Sequence, residues 1–110
     1  MFYFNRVILA GTVSAPVEVR YTTNGEVVLW FTLKVRSGIK HRKQEMEQEP
    51  EIEVMAFGVE NEKVAKAIMK GHNVFVEGSL EERVIKMELG VKKALTVVAQ
   101  KIALLKGGEA

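Results

Sequence analysis

The chain has 110 residues, a formal net charge of +2, and neither cysteine nor aspartate. That length supports one hydrophobic core, and 47% hydrophobic with 27% charged residues is the balance of a folded protein, not a disordered one. The missing cysteines exclude a disulfide framework, a thiolate nucleophile and a Cys-ligated zinc, and no apolar run reaches the ~18–20 residues of a membrane span.

Residues 1–10 are apolar but lack a basic leader and soon alternate as a strand does, which argues against a signal peptide. Residues 5–13 (N-R-V-I-L-A-G-T-V) read as a strand whose apolar run predicts burial on both faces, with Gly11 marking a bulge or bend. Residues 17–21 alternate, and Thr23-Asn24-Gly25 follows as a turn. In the next strand, 26–36, Leu29, Phe31, Leu33 and Val35 share one face while Trp30, Thr32, Lys34 and Arg36 share the other. A polar connection over 37–50 leads to a strand at 51–57, with Ile52, Val54 and Ala56 on one side and Glu51, Glu53, Met55 and Phe57 on the opposite one. Residues 61–70 predict the one helix, with Asn61 as N-cap, an apolar stripe of Val64, Ala65 and Ile68, and Gly71 as its stop. A strand at 73–80 continues toward 88 as one arm of a long hairpin whose tip lies near Gly90 or Lys92-Lys93, and residues 94–105 form the last strand, with some helical character at its end. The expected domain covers 1–106, leaving 107–110 as a short flexible tail.

Counted as three strands, one helix and two strands, the order is β-β-β-α-β-β. This is the layout of an all-β protein with one helix, a five-stranded Greek-key OB-fold β-barrel.

Charge is segregated along the chain. Residues 1–43 hold seven Lys/Arg against two Glu, a balance of +5; residues 44–62 hold seven Glu and no Lys/Arg; residues 63–110 return to +4, nine against five. The first and last thirds can supply a cationic face, while the acidic middle turns partly away from polyanions. No catalytic motif assigns a nucleophile, base and oxyanion donor, so no enzyme and no cofactor are expected. Glu45, Glu47, Glu49, Glu51 and Glu53 alternate as one strand face, without the Asp and Gly-containing loop of a calcium site. His41 and His72 lack metal-ligand spacing and read as solvent-facing or turn residues.

Four segments, N-R-V-I-L-A-G (5–11), P-V-E-V-R-Y-T-T-N-G (16–25), A-F-G with the following helix and K-G (56–58, 70–71), and V-F-V-E-G-S-L (74–80), together resemble the bacterial single-stranded-DNA-binding family. N-R-V-I-L-A-G-T-V-S-A-P (5–16) and L-K-V-R-S (33–37) also resemble the primosomal replication protein N family, dimeric OB proteins of replication restart. The first resemblance implies sequence-independent binding of single-stranded DNA in replication, recombination and repair, a homo-oligomer with a tetramer favoured over a dimer, and a cytoplasmic, nucleoid-associated location with no membrane partner. The second implies action mainly through replication or primosome proteins.

Single strands offer phosphates and exposed base faces, so a binder without sequence preference needs cations along a groove with flat side chains between them. Trp30, Thr32, Lys34 and Arg36 provide this at period two, and Lys40, His41, Arg42 and Lys43 extend it into a loop. By resemblance, Phe57 takes a base-stacking position, and Arg6, Arg20, Lys70 and Arg83 take basic positions along the DNA path. Phe57 alternatively packs at a subunit interface, and Trp30 is interface core as readily as a base platform. Relatives carry further tryptophans near Ile39, Glu51 and Ile85 and often arginine at Glu53 and Glu81. Each lost stack costs ~1–3 kcal/mol, so the phosphate contribution is expected to dominate. The closing K-G-G-E-A carries none of the acidic, aromatic-tipped recruitment peptide usual in that family.

Overall fold

The computed structural model describes residues 1–36, 49–58 and 60–105. Period-two alternation becomes strand wherever one side chain in two finds a common interior. The elements are β1 (Val7–Val13), β2 (Glu18–Tyr21), β3 (Val27–Lys34), β4 (Glu51–Phe57), α1 (Glu60–Ala67), β5 (Asn73–Met87) and β6 (Gly90–Leu104).

Pairing closes five strands into a ring. β1 lies antiparallel to β5 from Val7–Gly78 to Thr12–Asn73, and its last residues cross to β3 through Thr12–Lys34 and Val13–Leu33. β3 pairs with β4, β4 runs parallel to β6, and β6 returns along β5. This is the expected OB barrel. The segment near 17–21 is a separate short strand, β2, which among the described residues pairs with β3 alone and shares that strand's edge with β1. Four strands therefore precede the helix instead of three.

The ring encloses Leu29, Phe31 and Leu33 of β3, Val54 and Ala56 of β4, Val74 and Val76 of β5, and Val97, Ala99 and Ile102 of β6. Ile68, just past the helix, and half-buried Val64 pack against the same cluster. β1 departs from the expected burial on both faces: Leu9 packs against the core, but Ile8 on the opposite face keeps 55% of its surface exposed.

Gly11 is a close approach and not a bulge. A Cβ there would lie 2.3 Å from the carbonyl oxygen of Lys34, where β1 crosses to β3. The register shift falls instead between Glu77 and Gly78, and a Cβ on Gly78 would meet the Val98 oxygen at 2.0 Å.

The helix starts at Glu60, placing Asn61 inside it and not at its cap, and it ends three residues earlier than the expected 70. The Met69 amide donates to Nδ1 of His72 (3.1 Å) and the His72 amide to the Met69 carbonyl (3.0 Å), so the chain turns out of the helix before Gly71, at φ +95°, completes the reversal. His72 is thus a turn residue. At the hairpin, β5 runs to Met87 and β6 starts at Gly90, so Glu88 and Leu89 form the tip while Lys92 and Lys93 lie within β6. The last strand stays a strand through Leu104. No helix among the described residues is long and apolar enough to cross a membrane. The expected tail, 107–110, lies outside the described residues, as do Glu45, Glu47 and His41.

Candidate nucleic-acid interface

Because Leu29, Phe31 and Leu33 point inward, strand geometry turns Trp30, Thr32 and Lys34 outward. The β3–β4 register sets these beside the outward residues of β4: Val28 opposes Phe57, Trp30 opposes Met55, Thr32 opposes Glu53, and Lys34 opposes Glu51. On the far edge of β3, Glu18 opposes Trp30 and Arg20 opposes Val28. The outer surface of β2, β3 and β4 therefore gathers two aromatics, two cations and three carboxylates. Phe57 ends β4 with 42% of its surface exposed.

Trp30 is half-buried beneath arginines. The guanidinium carbon of Arg20 lies 5.0 Å from the ring centroid and that of Arg83 lies 4.5 Å from it, both within cation–π range. Arg83 comes from β5 and is held in place by Glu53: its Nε donates to Oε2 at 3.0 Å and its Nη2 to Oε1 at 2.7 Å. Thr96 of β6, 1% exposed, adds a third bond by donating its hydroxyl to Glu53 Oε2 at 2.6 Å. Four strands thus meet in one polar cluster: Trp30 on β3, Glu53 on β4, Arg83 on β5 and Thr96 on β6.

The remaining candidate residues separate by partner. Arg6 pairs with Glu77, and Arg20 with Glu18 at 3.3 Å; both arginines are well exposed, while Glu77 is half-buried. Lys34, Arg36 and Lys70 are exposed and form no ion pair among the described residues. Lys70 stands apart from the β3 row, in the turn after α1, where Lys66, Lys70, Pro16, Val17, Val19 and Met69 border a shallow groove. Lys40, Arg42 and Lys43 lie outside the described residues. Sequence reasoning missed Glu53 and Thr96 as members of the cluster. Glu53 was visible as an outward acid at a position where relatives often carry arginine, but Thr96 carried no local signal. No group of three or more metal-ligating side chains occurs among the described residues.

A family model, the single-strand binding protein family, matches residues 4–105. A single-stranded DNA-binding protein of Bacillus cereus is 33% identical over 110 residues, covering 96% of this chain and 64% of that protein. Single-stranded DNA-binding protein A of Bacillus subtilis is 33% identical over 94 residues, covering 86% of this chain and 54% of that protein. The chain thus spans less than two thirds of these relatives' length. Among solved structures, a Plasmodium falciparum SSB in complex with ssDNA superposes with a TM-score of 0.84 at 18% identity, over 96% of this chain and 98% of that one, which establishes the shared fold. The primosomal replication protein N reading is not favoured by these matches.

Proposed function

This chain belongs to the single-strand binding protein family, and from that premise we propose that it binds single-stranded DNA, largely without sequence preference and without catalysis. The observation that carries the reading is the outer face of β3 and β4, where Trp30, Thr32 and Lys34 stand at period two beside Phe57. Phosphates meet Lys34, Arg36 and Lys70, with Lys40, Arg42 and Lys43 of the sequence between β3 and β4, while Phe57 offers a base its exposed ring. Arg6, Arg20 and Arg83 line the same path with part of their charge already used by Glu77, Glu18 and Glu53. The setting is replication, recombination and repair in the cytoplasm, at the nucleoid, alongside replication or primosome proteins.

The working form is a homo-oligomer, a tetramer in preference to a dimer. Among the described residues, Val7–Gly11 of β1 pair on one side only, with β5, leaving an edge where a second copy can add its strand. Phe2, Tyr3 and Phe4, which lead into β1, Ile8 on β1 and Leu80 on β5 are exposed apolar residues.

Titration of fluorescent oligo-dT at low and moderate salt, following the single tryptophan, tests the reading. Micromolar or tighter binding with a strongly negative salt slope supports it. Absence of binding at low salt overturns it.

A further inference from the structure

Arg83 is the least exposed of the candidate cations that form ion pairs, and its guanidinium is the most completely engaged. Two of its nitrogens donate to one carboxylate, with 35% and 21% of the Arg83 and Glu53 side chains left exposed. A carboxylate and a phosphate both present paired oxygens to the guanidinium fork, so Glu53 occupies the edge a phosphate would take. Thr96 strengthens that hold by anchoring the carboxylate from beneath. Arg6 and Arg20 differ: each meets its carboxylate through a single nitrogen and keeps more than half of its own side chain exposed, where water and salt weaken the pair.

We propose that Glu53 is a built-in competitor of nucleic-acid phosphate at Arg83. The inference rests on the single-strand reading above. In the free protein the Glu53–Arg83 pair keeps the guanidinium over Trp30 and withholds its charge from the ligand. A bound strand gains this cation only by exchanging its phosphate for the carboxylate, so the outer face carries one usable cation fewer than its sequence displays.

Glu53→Gln removes the charge and keeps the shape, with an oxygen still able to accept from Thr96. One phosphate contact adds about 0.7 to the single-strand salt slope, which corresponds to roughly fivefold in affinity at 0.1 M salt relative to 1 M. Glu53→Gln is therefore expected to bind oligo-dT roughly fivefold tighter at 0.1 M salt, with a slope steeper by about 0.7. Adding Arg83→Gln to this variant is expected to abolish the gain, because the gain runs through Arg83. Circular dichroism checks folding, and Glu53→Ala carries the same test if the glutamine variant does not fold. An unchanged slope, weaker binding, or a gain that survives Arg83→Gln overturns the inference while wild-type binding leaves the function standing. Failure of the wild type to bind at low salt overturns both.

Discussion

Lys34 and Lys70 present their ammonium groups to solvent without an ion partner among the described residues, whereas Arg6 already meets Glu77. A cation with no internal partner offers its whole charge to a phosphate. Lys34→Ala is accordingly expected to shallow the salt slope of oligo-dT binding by about 0.7, and Arg6→Ala by less. Equal effects of the two would show that the Glu77 pair is irrelevant to binding. Phe57 acts through its ring, so Phe57→Ala is expected to weaken binding by about 1–3 kcal/mol without altering the slope. Wild-type affinity in that variant would assign Phe57 to packing instead. The outward row of β3 was legible from alternation alone, since period two fixes which residues share a face. The partnering of its neighbours was not: Glu53 and Arg83 are thirty positions apart and meet only because β4, β6 and β5 lie side by side.

Two glycines hold the strands at a separation that no side chain permits. A Cβ on Gly11 would sit 2.3 Å from backbone oxygen of Lys34, and opening that contact would part β1 from β3. Gly11→Ala is expected to cost about 1–3 kcal/mol, seen as a fall of roughly 4–15 °C in thermal melting by circular dichroism. Melting at the wild-type temperature would mean the two strands do not approach so closely. Leu33, fully buried in the ring, loses contacts on several strands when truncated, and Leu33→Ala is expected to cost about 2–5 kcal/mol. At this scale alternation and apolar runs located the strand segments, but they were counted as three before the helix where four form, and the boundaries moved wherever a distant partner intervened. The helix ends early because His72 takes the Met69 amide, and the hairpin tip falls beside Gly90 and not at Lys92-Lys93 because β6 pairs with β5 as far as Met87–Gly90. Gly11 shows the same limit, since a bulge and a close approach call for the same residue and only the neighbouring strand distinguishes them.

For the whole molecule, the side of β1 left unpaired among the described residues and the exposed apolar residues on and before that strand bear on assembly. Light scattering at micromolar concentration is expected to give several times the monomer mass, and Ile8→Lys, which places a charge on that edge, is expected to reduce it. A monomeric wild type would remove the role proposed for β1. Ring closure also explains why a net charge of only +2 is a poor guide to binding: the fold sets Lys34 on the outer row of β3 while Glu53 turns against Arg83. Sequence by itself determined what depends on neighbours along the chain: which residues alternate, where glycine turns the backbone, and how charge divides into basic, acidic and basic thirds. Only the tertiary structure decided which arginines have their charge met internally. An ion pair depends on register between strands that are distant in sequence, and that register is set by closing the barrel around a shared core.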